Sequence, residues 1–244
     1  MEDYSLSRHK KLYITSQNLV PIESVGPAQE KAFKAYVEDK NLFLTGSAGT
    51  GKTFILLHLA FKEVLDKGTP YDKVVIVRSL LPSRDIGFLP GTLDEKANLY
   101  QDPYRILVRY LFEMPNEQEF TQLYDKLVGQ GSLEFYSTSF LRGQTFDRSI
   151  ILVDEASNLL FQELDTIMTR VGQNSKIMFA GDMAQSDLRK NNGEQDGYLN
   201  FQVILDTMDE FEVIEFGIGD IIRSGLVRSY LIAKTNIGKM PDSA

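Results

Sequence analysis

Gly46-Ser47-Ala48-Gly49-Thr50-Gly51-Lys52-Thr53 stands between the apolar run Leu42-Phe43-Leu44 and the segment Phe54-Ile55-Leu56-Leu57. The octet fits G-x-x-x-x-G-K-[ST] at every position, and its setting, a short strand before and a helix after, gives the pattern its physical meaning. Glycine lets the backbone curl so that successive amide hydrogens face inward, and the following helix turns its positive end to the same place. A chain of phosphates suits such a loop. Gly46, Ser47, Ala48, Gly49, Thr50 and Gly51 form the cradle, Lys52 reaches the β- and γ-phosphates, and the Thr53 hydroxyl ligates Mg²⁺, an ion that prefers oxygen donors.

The other half of such a site needs a carboxylate at the end of a second core strand. Ser149-Ile150-Ile151-Leu152-Val153-Asp154-Glu155 supplies one: four consecutive apolar residues predict a strand buried on both faces. Asp154 then falls at the strand's carboxyl end, where open parallel sheets bind ligands, and is expected to hold Mg²⁺ through water. Glu155 is placed to polarise the attacking water, which favours hydrolysis over simple binding. A third run, Lys176-Ile177-Met178-Phe179-Ala180, leads into Gly181-Asp182 and Gln185. The Gln185 amide would orient water or sense the γ-phosphate, and the competing reading is a polar strand-to-helix turn. Arg223, in Gly219-Asp220-Ile221-Ile222-Arg223, is the candidate for stabilising transition-state charge, with Asp220 as the N-cap of its helix; a surface arginine paired with Asp220 is the alternative.

Working outward, short apolar runs at 41–45, 73–77, 133–137, 149–153, 176–180 and 211–216 predict six strands. Longer periodic segments at 27–36, 52–65, 92–112, 117–128, 161–171 and 220–234 predict helices, with Pro27 opening the first. The alternation is that of an α/β fold, a mostly parallel sheet with crossover helices on both faces. Residues 1–25 read as an irregular arm, and 26–244 as one domain without internal repeats or a dividing linker.

Composition narrows the chemistry. Zero Cys excludes disulfides, zinc fingers and thiol nucleophiles, and two His are too few for most His-based metal sites, so a metal should be held by oxygen. No stretch is long and apolar enough to span a membrane, and the first residues lack a secretion signal, so the cytoplasm is the expected compartment. A net charge of −8 argues against coating nucleic acid by bulk electrostatics. Local basic candidates are Arg8-His9-Lys10-Lys11, Arg142 with Arg148, Arg189-Lys190, and Arg223 with Arg228; scattered surface charge is the plainer reading.

Several of these pieces together resemble the PhoH-like ATPases: the phosphate loop, Phe140-Leu141-Arg142-Gly143-Gln144-Thr145-Phe146 leading to Asp154-Glu155-Ala156, Gly181-Asp182 with Gln185, and Asp220 with Arg223. Ile86-Gly87-Phe88-Leu89-Pro90-Gly91-Thr92-Leu93-Asp94-Glu95-Lys96 strengthens the likeness, which runs from about residue 27 to 234. It implies a RecA-like P-loop core related to superfamily 1 helicases, ATP as substrate, and a ring-shaped homo-oligomer, often a hexamer. By the same likeness Gln29 is expected at the adenine edge. Three positions depart from the family pattern. Ser47 replaces a proline, Ser157 replaces a glutamine after Asp-Glu-Ala, and Arg223-Ser224-Gly225 replaces an Arg-His-Pro-like sequence. The resemblance also implies a stand-alone core of the kind common in bacteriophage genomes, since longer members carry an added nuclease or RNA-binding domain.

Two functions compete. The first is an ATPase acting on single-stranded RNA or DNA, with Arg142 and Arg223 lining a channel; the second is an ATPase switch or assembly factor whose partner is protein, which the acidic balance favours. A small-molecule kinase would need an Arg-rich lid, and the arginines from Arg78 to Arg84 are too sparse for one. A nuclease would need further clustered carboxylates, with Asp154 and Glu155 already employed.

Overall fold

Each of the six apolar runs becomes a strand, because β-branched and aromatic side chains fit a pleated surface that is covered on both sides. The computed structural model describes residues 14–79, 93–182 and 194–237. The strands are β1 (Asn41–Gly46), β2 (Lys73–Arg78), β3 (Leu133–Ser137), β4 (Ser149–Val153), β5 (Lys176–Ala180) and β6 (Phe211–Phe216). They form one sheet in the order β3-β2-β4-β5-β1-β6, with every pairing parallel. All six carboxyl ends therefore share one edge. Gly46 pairs with Phe216 there, Arg78 with Ser137, and Val77 with Val153.

Alternate residues of each strand feed two separate cores. Leu42, Leu44, Ile76, Ile150 and Leu152 face the helices α1 (Pro27–Val37), α2 (Lys52–Val64), α3 (Leu93–Phe112) and α4 (Glu117–Gly129). Phe43, Val75, Val77, Ile151 and Val153 face α5 (Phe161–Met168) and α6 (Glu194–Asp206) on the other side. The period of two along a strand is what divides one sequence run between two cores. The expected α/β sheet with helices on both faces is thus what the chain forms, and the sheet is wholly parallel.

Three elements differ from the sequence reading. Helix α6 was not expected, since Gly197 weakens the pattern carried by Tyr198, Phe201 and Leu205. Packing explains that glycine: a β-carbon on it would sit 3.0 Å from Cβ of Phe161 on α5. The last helix, α7, runs Gly225–Ile237 and does not begin at Asp220. Asp220 instead lies in a 3-10 turn, Ile218–Asp220, and its carboxylate accepts from the amides of Gly217 at 2.9 Å and Ala28 at 3.4 Å. It thus serves the first turn of α1, which opens with Pro27, and not the helix after Arg223. In the arm, residues 14–25 are irregular apart from the turn Ser16–Asn18, and the Val20 amide donates to the Leu111 carbonyl of α3 at 2.8 Å.

Candidate nucleotide site

The phosphate loop is held from three sides by the chain that folds around it. Gly46 ends β1 at φ +102°, where a β-carbon would lie 2.2 Å from the Phe216 carbonyl oxygen of β6. Beside it, the Ser47 amide donates to that same carbonyl at 2.8 Å. Gly49 and Gly51 also take positive φ, +72° and +80°, and α2 starts immediately with Lys52. The curl expected of the loop is therefore present.

From below, Gln29 of α1 is only 3% exposed; its Nε2 donates to the Thr50 carbonyl at 3.2 Å and its Oε1 accepts from the Val25 amide at 2.9 Å. Gln29, expected at the adenine edge, braces the phosphate loop through these two hydrogen bonds. From the C-terminal side, the Ile222 amide donates to the Gly49 carbonyl at 3.1 Å. A β-carbon on Gly49 would come within 2.9 Å of Arg223 Cγ. Arg223 lies before the start of α7, and its stem rests against the phosphate loop of its own chain.

Lys52 folds into the loop, its ammonium donating to the carbonyls of Gly46 at 2.9 Å and Ser47 at 2.7 Å. Burial pushes its pKa down, and Asp182 and Asp154 push the other way. Thr53, one residue on, donates its hydroxyl to Asp154 Oδ1 at 2.8 Å across 101 positions of sequence. The second Asp154 oxygen accepts from the buried Tyr104 hydroxyl of α3 at 2.9 Å. Burial raises the Asp154 pKa, and the hydrogen bonds from Thr53 and Tyr104 oppose the shift. A desolvated carboxylate beside a hydroxyl is a donor set that suits a hard cation, which would relieve the cost of burying the charge.

Glu155 follows Asp154 in a left-handed conformation, φ +52° and ψ +39°, costing on the order of 1 kcal/mol for a non-glycine residue. Arg78, the last residue of β2, grips it with two hydrogen bonds: Nε to Oε2 at 3.1 Å and Nη2 to Oε1 at 2.5 Å. Ser157, which stands where the resembled family has glutamine, ties two strand ends together: its hydroxyl donates to the Asp182 carbonyl and accepts the Asp182 amide, both at 3.1 Å. Gln185, the Gly-Phe-Leu-Pro-Gly stretch at 87–91 and Arg189-Lys190 lie outside the described residues.

Away from the loop, Thr138, Ser139, Arg142, Gln162, Glu163 and Thr166 line a polar cavity of about 330 Å³. Arg142 is exposed there, whereas Arg148, grouped with it in the sequence, is bound to Asp72 at 2.5 and 2.9 Å. Tyr104 and Arg78 are the site residues that sequence reasoning missed. Tyr104 looks like any apolar-face position of α3, and Arg78 was read only as part of a sparse arginine loop.

The family model for "PhoH-like protein" matches residues 21–234. The chain belongs to the PhoH-like family. It is 31% identical over 226 residues to Protein PhoH of Escherichia coli (strain K12), covering 89% of this chain and 59% of that protein. It is 37% identical over 145 residues to Protein PhoH2 of Bacillus subtilis (strain 168), covering 59% of this chain and 32% of that one. The PhoH-like chain thus spans less than two thirds of these relatives. Among solved structures, it is similar to unliganded Pif1 from Bacteroides sp. at 17% identity and a TM-score of 0.40, covering 88% of this chain and 46% of that one. The DEAD-box helicase Mss116 bound to ssRNA and UDP-BeF gives 17% identity and a TM-score of 0.42, covering 78% and 40%. Among the described residues of this PhoH-like chain, no helix is long and apolar enough to cross a membrane.

Proposed function

We propose that this PhoH-like chain binds ATP with Mg²⁺ and hydrolyses it, and that binding of single-stranded RNA or DNA is coupled to the hydrolysis. The observation that carries the reading is the junction of Lys52, Thr53 and Asp154: a phosphate-loop ammonium, a hydroxyl and a buried carboxylate meeting at the carboxyl edge of a parallel sheet. The loop amides from Gly46 to Gly51 receive the phosphates, and Lys52 exchanges its carbonyl partners for the β- and γ-phosphate oxygens. Thr53 and Asp154 would hold Mg²⁺, which supplies charge neutralisation to the phosphates when bound. Glu155 polarises the attacking water. Gln185 is assigned to orienting that water by family likeness. Arg223, lying on its own loop, is assigned to transition-state charge within the same chain.

Exposed Phe140 and Arg142, beside the end of β3, support a nucleic-acid target, because an aromatic face and a guanidinium suit base and phosphate. The net charge of −8 favours the second reading, an ATPase that acts on a protein partner. Steady-state phosphate release with and without single-stranded RNA and DNA, repeated across salt concentration, separates the two. Stimulation that fades with salt is the expected result. Turnover indifferent to both strands would transfer the proposal to the protein partner. Assembly into a ring, hexameric in the resembled family, belongs to the same proposal, supported by the apolar residues Leu226, Val227 and Tyr230 standing exposed on α7.

A further inference from the structure

Arg78 closes β2 at the sheet edge that also carries Asp154 and Glu155, and it occupies both oxygens of the Glu155 carboxylate. A carboxylate gripped by a guanidinium fork has its charge matched and two of its acceptor positions filled. It is a poorer acceptor for the proton of an attacking water than the same carboxylate set free. The left-handed backbone of Glu155 is maintained against its local preference in this arrangement.

The partner strand supplies a second observation. Arg78 pairs in register with Ser137, and the chain beyond Ser137 runs straight into Thr138, Phe140 and Arg142. Phe140 is 62% exposed, and Arg142 also faces solvent. A stacking ring and a cation therefore stand beside the end of the strand that bears Arg78, an arrangement that suits the base and phosphate of an unpaired strand. The Arg78 side chain is 25% exposed at the carboxyl edge of the sheet, so an anion at that edge can reach it.

We propose that Arg78 is the positioning residue through which a bound single strand switches hydrolysis on: it restrains Glu155, and a phosphodiester of the strand takes its guanidinium and frees the carboxylate. The proposal rests on the reading of Glu155 as the water-polarising group and of single-stranded nucleic acid as the target. A phosphodiester presents two oxygens to a guanidinium much as a carboxylate does, so Arg78 keeps its hydrogen bonds and its charge partner in the exchange. Only Glu155 is left without a cation. Release breaks and makes hydrogen bonds alone; no covalent bond changes until water attacks.

The test measures ATP hydrolysis by the full chain, wild type, Arg78→Gln and Arg78→Lys, with and without single-stranded RNA and DNA oligonucleotides. Arg78→Gln should raise strand-free turnover roughly tenfold, the effect of losing one charge-assisted restraint, and should then gain little from the strand. Arg78→Lys, a single-pronged partner, should fall between. Melting temperature and binding of a non-hydrolysable ATP analogue should stay close to wild type in both, which separates release from misfolding. A fall in strand-free turnover with nucleotide binding intact would overturn the proposal, since Arg78 would then hold Glu155 in its working position. Full stimulation retained in Arg78→Gln would overturn it as well. A wild type that no strand stimulates would remove the nucleic-acid reading itself, and the phosphodiester trigger with it. In that case a raised turnover in Arg78→Gln would still support the restraint, and an unchanged one would overturn it.

Discussion

Tyr104 places its hydroxyl on one oxygen of Asp154 while Thr53 takes the other, so the carboxylate is aimed by two donors from separate helices. Partners that orient a metal ligand are typically worth about 10- to 100-fold in metal affinity. Tyr104→Phe keeps the ring in its core position and should raise the Mg²⁺ concentration for half-maximal hydrolysis by roughly tenfold, with little change in melting temperature. An unshifted Mg²⁺ titration would make the tyrosine a packing residue only. Lys52→Ala should abolish measurable turnover and weaken nucleotide binding, whereas Glu155→Gln should still bind ATP and lose roughly 10²-fold or more in rate. Equal losses of binding and rate in the glutamate variant would contradict this division. The meeting of Lys52, Thr53 and Asp154 at one sheet edge was readable because each stands in a local pattern. Tyr104 was not, because a contact spanning 50 positions leaves no mark in either neighbourhood.

At the scale of elements, β1 and β6 approach so closely at the loop that Gly46 has no room for a side chain. Gly46→Ala sets a methyl 2.2 Å from a backbone carbonyl, in a conformation that L-residues rarely adopt. It should cost several kcal/mol, about the upper range for single substitutions, and be measurable as a large drop in the urea midpoint. Helix α2 carries a pH-sensitive residue one turn beyond the phosphate loop. His58 is buried, its Nδ1 has no hydrogen-bond partner, and burial followed by the Lys62 charge pushes its pKa down to about 4. The unfolded chain protonates His58 near pH 6.5, about two and a half units above the folded chain. Above pH 6.5 both states are neutral there and the residue adds no slope. Between 6.5 and 4 the unfolded state binds the proton that the folded state refuses, so stability is lost as the pH falls, on the order of 3 kcal/mol in all. His58→Leu should flatten that part of the profile relative to wild type in urea denaturation at a series of pH values.

Across the whole molecule, the loop depends on segments that are far apart in sequence: Gln29 of α1, Phe216 of β6 and Ile222 beyond it all bond to it. Because the Arg223 stem rests on Gly49 of the same chain, mixing Arg223→Ala with Lys52→Ala should restore no activity, even where subunits have exchanged. Recovery in mixtures whose exchange is verified by mass would place the arginine at a neighbour's loop. The apolar residues that α7 leaves to solvent, Leu226 being 85% exposed, carry the proposed assembly. Leu226→Glu with Tyr230→Glu should lower the mass seen by sedimentation, and an unchanged mass would move the contact elsewhere.

The sequence by itself determined the six strands, the parallel alternation with helices, the phosphate loop and the carboxylate pair, because each is carried by short-range periodicity or by a fixed spacing. Only the tertiary structure decided what surrounds them. Packing of α1 beneath the loop turned Gln29 into a brace, and the approach of Ile222 brought Arg223 onto Gly49. The β2–β4 pairing put Val77 beside Val153, so that Arg78, one residue on, and Glu155, two residues on, closed on one another. Such contacts follow from strand order, and strand order is settled by which faces bury best together, a competition among all the elements at once.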